Sequence, residues 1–66
     1  MRNTLKVARA EKDITQEELA KEIGVSRQTI NSIEKGRYVP STVLSLKIAR
    51  LFSKQVEELF QLEPED

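Results

Sequence analysis

The sequence predicts a small all-α domain, and three observations lead to this fold class. The chain has 66 residues, with only two glycines and two prolines to interrupt helices. Apolar residues recur three and four positions apart, which is the spacing of one helix face. Residues that cap helices well stand before most of these stretches. A chain of this length is expected to form one domain, here residues 1–66.

The first helix is expected to begin after Asn3 or Thr4, both good capping residues, and to end near Lys12. Its inward face would carry Leu5, Val7 and Ala8. Asp13 follows the helix, where a left-handed backbone conformation is wanted, and aspartate tolerates that conformation better than most residues.

The second helix has the clearest start in the chain. Thr15 and Glu18 have the three-residue spacing of a capping box, and Glu17 adds a second acid to the first turn, where the helix dipole favours it. Gly24 is expected to end the helix. The apolar face consists of Leu19, Ala20 and Ile23.

The third helix follows almost at once. Ser26 is the expected N-cap, Ile30 and Ile33 form a buried face, and Lys35 and Gly36 mark the end. The opposite face is polar throughout and carries Arg27, Gln28, Asn31 and Lys35.

A loop with the sequence RYVPS comes next, and Ser41 then caps a fourth helix that runs to about Phe52. Its core face consists of Leu44, Ile48, Ala49, Leu51 and Phe52. Val43 and Leu46 lie off this face. They indicate either a second apolar surface that meets a partner or ordinary packing against the terminal segments.

The chain ends with a predicted short fifth helix over residues 55–60 and an acidic tail over residues 61–66. The helix carries Val56, Leu59 and Phe60. From Phe60 to Glu63 apolar and polar residues alternate, which fits a short strand and a frayed tail equally well.

The charge distribution is uneven although the formal net charge is zero. Residues 23–54 hold six basic residues and only one acidic residue, whereas residues 55–66 hold five acidic residues and no basic one. A basic middle of this kind is typical of a nucleic-acid-binding surface, although it would also simply solvate a small protein.

Catalytic chemistry has no visible residues in this chain. Histidine and cysteine are absent, which removes the commonest general base, the best nucleophile and the usual zinc ligands. No phosphate-binding glycine loop is present, so we expect neither a cofactor nor a metal. No segment has the length of a transmembrane helix or the composition of a signal peptide, so a cytoplasmic protein is expected.

The short GVS turn between the second and third helices suggests that residues 15–35 form a helix-turn-helix unit. In such a unit the second helix of the pair enters the major groove of DNA and presents its N-terminal residues to the bases. Those residues are Arg27 and Gln28, the types suited to paired hydrogen bonds with guanine and adenine. Gln16 stands at a helix N-terminus, where free backbone N–H groups attract phosphate.

The segment TQEELAKEIGVSRQTINSIEKGRYVPS, followed by LKIARLF and VEELF, resembles the Cro/C1-type, or XRE-like, phage-repressor class of helix-turn-helix regulators. The resemblance extends from Leu5 to about Leu62. It implies a compact five-helix, lambda-repressor-like domain that binds a near-palindromic DNA operator as a homodimer. The ending VEELFQLEPED is similar to very small dimeric members of the cytolysin-operon repressor type, in which a C-terminal strand pairs with the N-terminus.

The same resemblance implies roles for individual residues. Base contacts would come from Arg27, Gln28, Asn31 and Ser32. Backbone contacts would come from Gln16, Thr29, Lys35, Arg37 and Tyr38, and Gln16 would also brace the recognition helix. Arg9 and Glu34 correspond to a structural ion pair. The candidates for the dimer surface are Val43, Leu46, Phe60 and Leu62.

Three positions depart from the usual pattern of the family: Asp13, Thr42 and the pair Ser53–Lys54, which replaces a common Gly-Val before the fifth helix. A repressor is the favoured function. The alternative is an antitoxin-like module of the same fold, whose main partner would be another protein.

Overall fold

The computed structural model describes all residues, Met1–Asp66, and contains five helices and two very short strands. The helices are α1 (Leu5–Lys12), α2 (Gln16–Ile23), α3 (Arg27–Glu34), α4 (Thr42–Phe52) and α5 (Val56–Leu59). The strands are β1 (Arg2–Asn3) and β2 (Phe60–Gln61). None of the helices is long and apolar enough to cross a membrane.

Side-chain caps begin α2, α3 and α4 as the sequence predicts. The Thr15 hydroxyl accepts the Glu18 N–H at 3.0 Å, and the Glu18 carboxylate accepts the Thr15 N–H at 2.8 Å, which completes the capping box. Ser26 and Ser41 each accept an N–H three residues ahead at 3.1 Å. These bonds satisfy donors that the first helical turn leaves unpaired.

Each of the first four helices is followed by a residue in the left-handed region: Asp13, Gly24, Gly36 and Ser53. Asp13 and Ser53 reach φ 56° and 54°, so aspartate and serine here adopt the conformation that glycine usually supplies. The prediction for Asp13 is confirmed. Helix α3 itself ends at Glu34, with Lys35 as its C-cap, one residue earlier than expected.

The core lies between the helices and is built from side chains on every one of them. Six large residues are fully buried: Leu5, Leu19, Ile30, Ile33, Ile48 and Leu59. The inward placement of Val7 is wrong, because its residue is 57% exposed and only Leu5 and Ala8 of α1 face the core. Leu51 and Phe52 are half-buried at the edge of the core.

The two ends of the chain pair as a two-stranded antiparallel sheet, which decides between the strand and the frayed tail. Arg2 lies opposite Gln61 and Asn3 opposite Phe60. Helix α5 is shorter than predicted because Phe60 takes an extended conformation and opens β2. Phe60 is also 7% exposed and belongs to the core cluster of its own subunit, so little of it remains for a dimer partner.

Candidate nucleic-acid interface

The corner between α2 and α3 consists of three residues with separate tasks. Gly24, at φ 76°, ends α2 in a conformation that costs a residue with a Cβ about 1–2 kcal/mol. Val25 is half-buried against the core, and its N–H donates to the Ala20 carbonyl at 3.0 Å. Ser26 then caps α3 directly. The corner therefore fixes the start of α3 relative to α2.

Helix α3 has one buried face and one exposed face. Ile30 and Ile33 are completely buried in the core. On the other side Arg27 and Gln28 are exposed in the first turn, and Ser32 is half-buried one turn further on. Packing of the isoleucines thus holds the helix while its first turn points a guanidinium and an amide toward solvent.

A polar network joins α3 to the start of α2. The Gln16 side-chain amide donates to the Asn31 carbonyl oxygen Oδ1 at 3.3 Å and to Oε1 of Glu34 at 3.0 Å. Gln16 and Asn31 are both half-buried. Two residues assigned to DNA from the sequence are therefore also joined to each other, so Asn31 is held in place before any ligand arrives.

The N-terminus of α2 faces a groove that also contains Arg27. The groove is lined by Arg9, Asp13, Ile14, Thr15, Gln16, Glu17 and Arg27. The first N–H groups of α2 and the Arg27 guanidinium both favour an anion at this position. Glu17 opposes it, because its carboxylate lines the same groove.

Tyr38 lies beside the exposed face of α3 in the loop that follows it. It is 45% exposed and lines a shallow depression together with Gln28, Thr29 and Ser32. The Thr29 hydroxyl is 2.9 Å from the Ser26 hydroxyl, so it is already engaged at the helix start. Lys35 and Arg37 are exposed in the segment between α3 and Tyr38.

The basic residues of the middle segment do not form one surface. Arg27, Lys35 and Arg37 lie on α3 or directly after it. Lys47 and Arg50 of α4 instead line a groove with Glu22 and Ile23 at the far end of α2. Lys54 is 3.7 Å from Glu11 in an ion pair. The positive charge beside α3 is thus about half of what the sequence count indicates.

Sequence reasoning missed one contact to α3. The Asn3 side-chain amide donates to the Ile33 carbonyl at 2.7 Å, across 30 positions of the chain. Asn3 was expected only as a possible helix cap. A bond between a strand at the N-terminus and the main chain of α3 leaves no periodic or local pattern that could have revealed it.

Comparisons with known proteins match this geometry. The helix-turn-helix family model matches residues 5–59. An HTH-type transcriptional regulator of Methanocaldococcus jannaschii is 52% identical over 66 residues and is covered completely, as is this chain. The HTH-type transcriptional regulator YgzD of Bacillus subtilis is 48% identical with the same complete coverage.

Among solved structures, the restriction-modification controller protein C.AhdI from Aeromonas hydrophila superposes with a TM-score of 0.76 at 34% sequence identity. The match covers 85% of this chain and 81% of the controller protein. The similarity therefore extends beyond α2 and α3 to most of the fold.

Proposed function

Because this chain belongs to the helix-turn-helix family of HTH-type transcriptional regulators, we propose that it is a sequence-specific repressor that reads its operator through α3. It is a transcriptional regulator with a DNA-binding domain and not an enzyme. The observation that carries the finer proposal is the exposed first turn of α3, where Arg27 and Gln28 stand next to the N-terminus of α2.

In this proposal α3 lies in the major groove, which accepts a single helix. Arg27 and Gln28 read base edges, and each good paired contact contributes about 1–3 kcal/mol of discrimination. Asn31 and Ser32 lie one turn further along and make secondary base contacts. The Gln16 network supports this arrangement because it holds Asn31 while leaving its amide nitrogen without a partner in the chain.

Contacts to the sugar-phosphate backbone would supply most of the affinity that does not depend on sequence. We assign them to Gln16, Thr29, Lys35, Arg37 and Tyr38. Lys35 and Arg37 are exposed at the end of α3, and the groove at the start of α2 runs alongside α3 and contains Arg27 from its first turn. The set therefore offers phosphate contacts along the length of α3. Binding would weaken steeply as salt rises.

The protein would act as a homodimer on a near-palindromic operator, with half-sites about one helical turn apart. Val43, Leu46 and Leu62 support this part, since they are 64%, 57% and 80% exposed. Leu46 is one of five apolar side chains that line an open groove, together with Val39 and Val56 among others. The acidic tail would lie away from the DNA. As a regulator that binds an operator, the protein would act in the cytoplasm.

Selection of bound DNA from a random pool tests the proposal directly. We expect enriched sequences with two inverted half-sites whose centres are about 10 base pairs apart. Enrichment of a single half-site would keep DNA reading and remove the dimer. Failure to enrich any sequence, with tight capture of a co-encoded protein, would favour the antitoxin-like alternative.

A further inference from the structure

Asn3 makes two hydrogen bonds that serve different parts of the fold. Its Oδ1 accepts the Leu5 N–H at 3.1 Å and so caps the first turn of α1. Its amide nitrogen donates to the Ile33 carbonyl at 2.7 Å, in the last turn of α3. One side chain thus joins the terminal sheet, the start of α1 and the end of α3.

The carbonyl that Asn3 reaches belongs to the turn that closes α3. The Ile33 carbonyl also accepts the Gly36 N–H at 3.0 Å, and the Arg37 N–H donates to the Ser32 backbone carbonyl at 2.9 Å. This pair of bonds sets the path of the chain through Lys35 and Arg37 toward Tyr38. A shift of the Ile33 carbonyl would therefore move both the end of α3 and the following segment, which is proposed to contact the DNA backbone.

A second contact to the same turn constrains its main chain less tightly. Arg9 of α1 pairs with the Glu34 side chain. A carboxylate on a flexible stem can follow its partner when the helix shifts, whereas a bond to the Ile33 carbonyl fixes the main chain itself. Asn3 is in turn fixed by β1, which pairs with β2 opposite Phe60.

We propose that Asn3 is a positioning residue for DNA recognition. It fixes the position of the C-terminal turn of α3 relative to the terminal sheet, and thereby the orientation of the face of α3 that reads the bases. The proposal rests on the proposed function. Asn3 would contribute to discrimination between DNA sequences, because base contacts depend more strictly on the placement of α3 than phosphate contacts do.

Two substitutions separate the two bonds of Asn3. In Asn3→Ser the hydroxyl still caps the Leu5 N–H but is too short to reach Ile33. In Asn3→Asp the cap and the shape remain, and the donor is lost. Gln61→Glu is the matched control for Asn3→Asp: it also turns an amide that donates to a backbone carbonyl, at 3.0 Å to Glu57, into a carboxylate, on the opposite strand.

Two measurements are made on each folded variant: the ratio of affinities for the selected operator and a scrambled duplex, and amide hydrogen exchange without DNA. For Asn3→Ser and Asn3→Asp we expect the affinity ratio to fall by up to about tenfold, because the free energy of one hydrogen bond limits how much the loss of this contact can disfavour the base-reading position of α3. Exchange should quicken at Lys35, Gly36 and Arg37 but not at Ala8, whose N–H donates to the Thr4 carbonyl at 3.0 Å in the first turn of α1, where both variants keep the cap on Leu5. Gln61→Glu should change neither quantity.

The outcomes separate this inference from the proposed function. Faster exchange at residues 35–37 with an unchanged affinity ratio would make Asn3 a structural contact only and overturn the inference. Unchanged exchange would overturn it as well. If the unsubstituted protein itself did not distinguish the two DNAs, the proposed function would fall, and exchange would still report whether Asn3 holds α3.

Discussion

Arg9 and Glu34 form a paired ion contact that joins α1 to the last residue of α3. Arg9 Nε lies 2.6 Å from Glu34 Oε2, and Nη2 lies 3.2 Å from Oε1. The Arg9 and Glu34 side chains are only 15% and 6% exposed, and the hydrogen bonds to Glu34 raise the pKa of Arg9 further. A pair sheltered to this degree supports the fold mainly by avoiding an unpaired charge.

We expect Arg9→Met to lower the free energy of unfolding by about 3 kcal/mol, because it leaves the Glu34 carboxylate buried with Gln16 as its remaining partner. The double variant Arg9→Met/Glu34→Met should recover much of this loss, since no charge is then stranded. Urea unfolding of the single and double variants measures both quantities. Additive losses would contradict the argument.

Arg27 and Lys35 are expected to differ in how their loss affects DNA binding. Arg27→Ala should reduce affinity for the selected operator by about 1–3 kcal/mol more than affinity for scrambled DNA. Lys35→Ala should weaken both duplexes alike and reduce the salt dependence by about one counterion. Titrations on both duplexes at two salt concentrations measure these effects. Equal losses for Arg27→Ala would remove it as a base-reading residue.

Leu46 and Val7 offer a matched test of the dimer surface, because both residues are 57% exposed. Leu46→Lys should shift the protein from dimer to monomer, since it places a charge in an apolar groove. Val7→Lys lies on α1 outside that groove and should leave the oligomeric state unchanged. Sedimentation equilibrium distinguishes the two results. Dimers that persist in Leu46→Lys would place the interface elsewhere.

Ser53 and Gly24 share the left-handed conformation, and their substitutions should have opposite signs. Ser53→Gly removes the strain of φ 54° and should raise the free energy of unfolding by about 0.5–1 kcal/mol. Gly24→Ala meets no atom within 4 Å, so its expected loss of about 1–2 kcal/mol comes from the backbone alone. Thermal unfolding of both variants, with Asp13→Gly as a second gain, tests this account.

The N-terminal amine and Asp66 should make stability depend on pH at both ends of the range. The hydrogen bond that the Met1 amine donates to the Asp66 carboxylate, followed by the one it donates to Glu63, raises the pKa of the amine above 8.0. The same bond, followed by the Glu63 N–H, lowers the pKa of Asp66 below 3.8. The contribution of the amine is therefore complete below pH 8 and lost as pH rises, whereas that of Asp66 is complete above pH 4 and lost as pH falls.

Thermal unfolding of the unsubstituted protein and Asp66→Asn at pH 3, 6 and 10 checks these signs. The difference between the two proteins should be largest at pH 6 and shrink at both extremes. A difference that grew toward pH 10 would assign the stabilisation to another group.

Local features of the sequence predicted the fold well, whereas contacts between distant segments were mostly out of reach. Thr15, Ser26 and Ser41 act within three residues of themselves, so their capping roles could be inferred directly. The side of α1 that Val7 occupies depended on packing against other helices. The fate of Phe60 depended on a strand pairing with residues near Met1, which only the folded chain brings together.

For the candidate interface, the resemblance to known repressors supplied residue types and the structure supplied their connections. The structure joins Arg9 to Glu34 and Gln16 to α3, as that resemblance implied, and it identifies the partners of Gln16 as Asn31 and Glu34. The separation of Lys47 and Arg50 from the basic residues near α3 could not be predicted from the number of charges in the sequence, because that number does not show which helix face each residue occupies.

The pairing of the two chain ends has a consequence for the order of folding. The Thr4 hydroxyl donates to the Glu58 carbonyl across 54 positions, whereas the α2–α3 corner closes over a few residues. Closing a long loop costs more entropy than closing a short one, so we expect α2 and α3 to collapse together early and the terminal sheet to zip up last. The helices proposed to face DNA would thus form before the terminal sheet that fixes their final position.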